Sequence, residues 1–201
     1  MITIIDYDAG NIKSVEKAFL HLGQDVRITR DRDEILSSTH VVLPGVGSFG
    51  DAMQHLKEYH LIPTIYDVVD KKIPFLGICL GLQLLFERSD ESKGIHGLGI
   101  LPGEIRSIPS SPGLKIPHMG WNSLTLNENS KLFNGITNDS FVYFVHSYYL
   151  KAKNPEDVAA KTWYSVPIDA AVEHDQIFAC QFHPEKSSQT GLQILKNFTK
   201  I

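Results

Sequence analysis

Up to Cys79, short apolar runs alternate with segments whose apolar residues recur at three- and four-residue steps, and this alternation restricts the fold more than any other feature. Ile2 to Ile5 is the first such run. Ile12, Val15, Phe19 and Leu22 follow with helical spacing, and Gly23 supplies a helix stop. Val26 to Ile28 leads into Asp33 to Leu36. His40 to Leu43 leads, through Pro44 and a glycine-rich loop, into helical stretches at Asp51 to Lys57 and Ile62 to Val69. Pro74 to Ile78 ends at Cys79, where a helix begins at Leu80 and runs to Phe86. Runs that are apolar throughout belong to strands covered on both faces, and such strands are parallel and joined by crossover helices.

From about Gly94 the texture changes to shorter strands separated by Pro and Gly: Gly103 to Ser107, Lys115 to Thr125, Phe141 to Tyr149, Ala159 to Lys161, Ala170 to Glu173 and Ile177 to Gln181. These read as antiparallel or mixed. A last amphipathic helix, Thr190 to Thr199, carries Leu192, Leu195 and Phe198 on one face. The class is α/β, a parallel sheet core with an added strand-rich portion, and 201 residues without repeats or linkers fit one domain over 1–201.

With 42% hydrophobic and 21% charged residues the chain lies outside the regime of disorder. A net charge of -4 with scattered Lys and Arg offers no field for nucleic acid. MITIIDYDAG lacks a basic leader and no apolar run is long enough to span a bilayer, so a cytoplasmic location with no membrane contact is expected. Two cysteines, Cys79 and Cys180, make neither a disulfide framework nor half a zinc site, and no metal site is expected.

Gly77-Ile78-Cys79-Leu80-Gly81 stands where an apolar strand turns into a helix, the form of a nucleophile elbow with sulfur in place of oxygen. The partial positive charge at the start of the following helix favours an anionic sulfur there. A buried small hydrophobe would fit the same position beside Phe75, Leu76 and Ile78. Near the C-terminus, Gln181-Phe182-His183-Pro184-Glu185-Lys186-Ser187 follows a strand, and a histidine with a carboxylate two residues on supplies a base and its orienter. His21, His55, His60 and His174 read as bystanders and Cys180 as core.

GICLGLQ around Cys79, together with QFHPEKS, resembles the class I, or triad, glutamine amidotransferases. Within that family IIDYDAGNIKSVEKAF, LPGVGSFGDAM and KIPHMGWN resemble the glutaminase subunits of imidazole glycerol phosphate synthases, and the likeness runs from Met1 to Ile201. The resemblance implies a flavodoxin-like three-layer fold, mostly parallel in its central sheet. It implies hydrolysis of L-glutamine by Cys79, His183 and Glu185 without a cofactor. The ammonia would pass to a partner cyclase subunit, a (β/α)8 barrel in a 1:1 heterodimer, which makes imidazole glycerol phosphate and AICAR in histidine biosynthesis. By the same likeness the Gly45-Val46-Gly47 backbone and the Leu80 N–H form the oxyanion hole, and Gln83, Ser147 and Tyr148 hold the amino-acid end of glutamine. Met119 and Trp121 would face the partner, with Asn11, Tyr143 and Lys186 near the junction and the ammonia path; taken alone, Trp121 fits a core anchor better. Asp8 stands where this family more often has glycine, and Cys180 where it more often has threonine or valine.

Other triad glutaminases share the Cys, His and Glu set, but DYDAGN and KIPHMGWN point away from them. A domain that keeps the fold without activity, and a cysteine hydrolase that acts without a partner, are the alternatives from other classes.

Overall fold

The computed structural model describes residues 1–201. The chain opens with β1 (Ile2–Ile5), α1 (Ile12–His21), β2 (Val26–Thr29), α2 (Arg32–Leu36) and β3 (His40–Leu43). It continues through α3 (Phe49–Glu58), α4 (Leu61–Asp70), β4 (Phe75–Ile78) and α5 (Leu80–Leu84). Shorter strands follow: β5 (Arg88–Ser89), β6 (Gly103–Ser107), β7 (His118–Ser123), β8 (Thr125–Leu126), β9 (Phe141–His146) and β10 (Tyr148–Ala152). The hairpin β11 (Val158–Tyr164) and β12 (Val166–His174), then β13 (Ile177–Cys180) and α6 (Ser188–Phe198), complete it.

The main sheet has the order β2-β1-β3-β4-β13-β12-β11-β8. Its first five members are parallel, which is the flavodoxin-like order, and β12, β11 and β8 extend it in antiparallel fashion. Every residue of β1, β4 and β13 is buried, as their unbroken apolar character requires. α1 packs with α6, and α3 and α4 pack with each other and with α2 and α5. One contiguous apolar cluster runs from Ile2 through the elbow to Phe198. Ser48 and Asp31 cap α3 and α2 by accepting the N–H groups of Asp51 and Glu34. No helix is long and apolar enough to cross a membrane.

Several expected boundaries move. The run Phe141 to Tyr149 is two strands, because the chain bends at Ser147 and changes sheets: β9 pairs with β7 as a separate ribbon, and β10 pairs with β6. The strand expected from Lys115 starts at His118, since Pro117 has no N–H to give a ladder, and it breaks at Leu124. The β11 and β12 hairpin is longer than its apolar centre, and α5 ends at Leu84 instead of Phe86. Asp8 sits at φ 68, a left-handed conformation that explains the usual glycine. Here Arg30 and Tyr59 hold its carboxylate, with the guanidinium 4.0 Å above the Tyr59 ring.

Candidate active site

The parallel strands deliver their chemistry at one edge, the carboxyl ends, where open α/β sheets bind ligands. Cys79 follows β4 at φ 54 and ψ -107, a conformation that costs on the order of 1–3 kcal/mol and persists only where neighbours enforce it. Its N–H donates to the Cys180 carbonyl at 2.8 Å, and its carbonyl accepts the N–H groups of Leu82 and Gln83. A Cβ on Gly81 would sit 1.9 Å from the Leu43 carbonyl oxygen, and one on Gly77 would sit 2.8 Å from that of Gly81. No other residue type permits this turn, so the glycine spacing is a packing requirement.

His183 comes off the end of β13 with no exposed side-chain surface. Its Nδ1 is 2.9 Å from Glu185 Oε1, and its Nε2 is buried without a protein partner. Burial alone would lower the pKa of this ring, but the Cys79 sulfur and the Glu185 carboxylate outweigh it and raise the value to about 10. The Tyr143 carbonyl accepts the His183 N–H, and Ser187 Oγ accepts the Tyr143 N–H, so β9 fixes the segment that carries His183.

A cavity of about 350 Å³ opens over these groups. Cys79, Leu80 and His183 line it with Val46 and Gly47 of the glycine-rich loop, and Gln83, Ser147 and Tyr148 form another part of its wall. Gln83 uses its amide nitrogen twice, toward the Tyr148 carbonyl at 3.2 Å and Gln181 Oε1 at 3.0 Å, which leaves its carbonyl oxygen for a ligand. The Leu80 N–H, expected as an oxyanion donor, is turned to the Gly45 carbonyl at 3.3 Å. Gly47 has φ 107, open to glycine and to few other residues.

The junction residues divide. Met119 and Trp121 are 62% and 52% exposed on β7, so Trp121 is no core anchor; its ring meets Tyr143 edge-on at 6.2 Å. Lys186 is exposed on the helical turn Pro184–Lys186. Asn11 is buried, and its Nδ2 donates to Glu185 Oε1 at 3.2 Å, so it supports the carboxylate that meets His183. Cys180 is fully buried, as expected of core, with a thiol whose pKa burial pushes well up.

Other residues escape the sequence reading. Glu91 lines the cavity and accepts the Phe49 N–H at 2.7 Å. Tyr7, almost wholly buried, donates its hydroxyl to the Pro44 carbonyl at 2.5 Å and so anchors the start of the glycine-rich loop. His146, also on the cavity wall, sits in a buried chain of rings. Its Nδ1 faces the Tyr148 carbonyl at 2.8 Å, its Nε2 meets His118 Nδ1 at 2.9 Å, and Asn122 reaches His118 Nε2 at 3.3 Å. A carbonyl can only accept, so each nitrogen's role follows: Asn122 donates to His118, His118 to His146, and His146 to Tyr148. Burial is the leading cause that lowers His146 to about 3 and His118 to about 4, which keeps both rings neutral.

Comparison with known proteins bears on the whole chain. The family model described as glutamine amidotransferase class-I matches residues 3–201. A Bacillus cereus protein, imidazole glycerol phosphate synthase subunit HisH, is 51% identical over 201 residues, covering 100% of this chain and 95% of that protein. The protein of the same name from Methanocaldococcus jannaschii is 47% identical over 203 residues, with both chains covered in full. Among solved structures, a glutamine amidotransferase superposes with a TM-score of 0.77 at 16% identity, over 100% of this chain and 98% of that one. PurLQS from Thermotoga maritima superposes with a TM-score of 0.76 at 18% identity, over 99% and 97%.

Proposed function

The chain belongs to the class I glutamine amidotransferases, and on that footing we propose that it is the glutaminase subunit of an imidazole glycerol phosphate synthase, serving histidine biosynthesis. It works as one unit over residues 1–201, in the cytoplasm, in a 1:1 pair with a (β/α)8 cyclase subunit. The observation that carries the reading is the free Nε2 of His183, buried in the Cys79 cavity while Nδ1 is tied to Glu185. Such a ring can take a proton from sulfur and return it to a leaving amine, and has little other reason to be there.

The steps follow from the residues. Cys79 sulfur attacks the side-chain carbonyl carbon of glutamine, and the carbonyl oxygen becomes an oxyanion. His183 protonates the departing nitrogen through Nε2, the carbon–nitrogen bond breaks, and ammonia leaves a γ-glutamyl thioester. Water then attacks the thioester with His183 as base, sulfur departs, and glutamate is released. Glu185 holds the ring's other nitrogen, and Asn11 holds Glu185. The carbonyl of Gln83 and the carboxylate of Glu91 are acceptors suited to the substrate's ammonium, beside Ser147 and Tyr148.

The loop supplies the gate. The Gly45 carbonyl, which occupies the Leu80 N–H, belongs to the same peptide plane as the Val46 N–H. One rotation of that plane releases Leu80 and turns Val46 inward, so two oxyanion donors arrive together; each is worth about 3 kcal/mol of barrier. A partner that stabilises the rotated loop therefore couples hydrolysis to its own readiness. Ammonia set free in water at neutral pH is mostly ammonium and useless as a nucleophile, which is what the coupling avoids. Met119 and Trp121 are the partner-facing anchors, with Tyr143 and Lys186 beside the ammonia path.

Glutamate release from glutamine, measured for the chain alone and mixed with a cyclase subunit with and without its nucleotide ligand, tests this. A low basal rate that rises only in the ligand-loaded mixture is expected. Full activity without a partner would reject the subunit role, and a Cys79→Ala chain that still hydrolyses glutamine would reject the nucleophile.

A further inference from the structure

Gln181 is fully buried at the end of β13, between core Cys180 and the base segment. Its backbone N–H is taken by the Ala170 carbonyl, so the strand fixes where the side chain starts. That side chain makes two hydrogen bonds: Nε2 is 3.7 Å from Cys79 Sγ, and Oε1 accepts from Gln83 Nε2 at 3.0 Å. Burying a carboxamide costs free energy unless its bonds are made, and a methionine or leucine would fill the same space without that cost. A polar group at this depth, touching the nucleophile, needs a chemical reason.

Which end of the amide faces the sulfur is fixed by an acceptor-only group at the far end of the chain. The Tyr148 carbonyl must receive a hydrogen, so the Gln83 end beside it is the nitrogen. The same nitrogen reaches Gln181, which must answer with its oxygen, and the Gln181 nitrogen is left facing Sγ. Turning Gln181 over would set two amide nitrogens against each other and an oxygen against sulfur. The bond direction is therefore a property of the network.

We infer that Gln181 is a hydrogen-bond donor to the Cys79 sulfur, acting beside the charge of the His183 ring, and that through Gln83 it also sets the side chain that receives the substrate's ammonium. The inference rests on Cys79 being the nucleophile. A donor at this place stabilises sulfur whenever it carries negative charge: before attack, and again when the thioester breaks and sulfur is the leaving group. It differs from His183 in that it gives up no proton, so its contribution persists through both halves of the reaction. Because one amide holds both the nucleophile and Gln83, the distance between the attacking atom and the ammonium site is set by a single buried side chain.

The test uses the full chain carrying Gln181→Met, of similar length without a donor, and Gln181→Glu, of the same shape but accepting only. The pH dependence of Cys79 alkylation by iodoacetamide is read by peptide mass spectrometry, so that Cys180 does not contribute, and kcat and KM for glutamine are measured in parallel with the ligand-loaded cyclase subunit present. For Gln181→Met the half-maximal alkylation pH is expected to rise by about one unit, a tenfold loss of thiolate at a given pH, with a comparable fall in kcat. Gln181→Glu should shift it further, because a carboxylate beside the sulfur disfavours charge. Gln83→Met should raise KM for glutamine. Folded variants whose alkylation curves superpose on that of the parent would overturn the inference, even if kcat fell. Because Gln83 also holds Gln181 Oε1, any movement of the curve in Gln83→Met should be smaller than in Gln181→Met, which removes the donor itself. Persistent glutamate release by Cys79→Ala would instead sink the reading beneath it, whatever the Gln181 variants do.

Discussion

Replacing His146 by Gln should flatten the acid side of the protein's stability curve. The folded ring, donating to Tyr148 and accepting from His118, titrates only near pH 3, whereas an unfolded histidine takes its proton at about 6.5. Between those values the unfolded chain binds a proton that the folded chain refuses, so stability falls as pH falls through that window. At pH 5, about 1.5 units below the unfolded value, the ring costs about 2 kcal/mol relative to neutral pH, a sizeable share of the roughly 5–15 kcal/mol that holds a domain together. His118 acts in the same direction. His183, raised to about 10, has the opposite sign: its contribution is complete below about pH 6.5 and is lost as pH rises through 10. Both remain in the variant and cancel in the comparison.

Urea unfolding of parent and His146→Gln chains at pH 7.5 and 5.0 reads the effect. The variant is expected to be less stable at pH 7.5, having lost a ring that bonds at both nitrogens. Its further loss on going to pH 5.0 should be smaller than the parent's by about 2 kcal/mol. Equal losses in the two chains would mean that His146 takes up its proton in the folded state, and the neutral chain of rings would be refuted.

Glu185→Gln should lower kcat for glutamine hydrolysis about a hundredfold or more while circular dichroism stays unchanged, because His183 loses the carboxylate that orients and charges it. Asn11→Ala removes one hydrogen bond to that same carboxylate, and kcat/KM should fall about tenfold. Trp121→Ala should weaken association with a cyclase subunit about thirtyfold, read by titration calorimetry; an unchanged affinity would move the junction off β7.

What the sequence makes legible is local, and what it conceals depends on register. The elbow is readable because Gly77 and Gly81 are demanded within five residues of chain, and the base because Glu185 reaches His183 across a single turn. The parallel strands are readable because burial on both faces leaves apolar runs with no polar interruption. Phe141 to Tyr149 shows the limit. A run rich in aromatics and valine states that strand is favoured but not which neighbour receives it, and the change of sheet at Ser147 is invisible. The buried ring pair needs the register that sets His118 opposite His146, from residues 28 apart. Tyr7 and Pro44, or Gln181 and Cys79, meet only once the sheet order is known. The resemblance places Asn11 near the junction, and its burial against Glu185 is invisible in the sequence, since the two lie 174 residues apart.

The sheet order also explains why so few residues suffice. With β1, β3, β4 and β13 parallel, their carboxyl ends share one edge, so Asn11, the Gly45 loop, Cys79 and His183 converge without any long connection having to thread inward. The ribbon of β7 and β9 closes that edge with two distinct faces. Along β7, Met119 and Trp121 point to solvent while His118 and Asn122 turn inward to the ring chain that ends on the Tyr148 carbonyl. That carbonyl also receives Gln83, which bonds Gln181, which bonds the Cys79 sulfur. The surface that presents Met119 and Trp121 outward is thus joined to the Cys79 sulfur by successive hydrogen bonds. A one-residue slip of β7 would break both ends at once, because period-two alternation would bury Trp121 and expose His118.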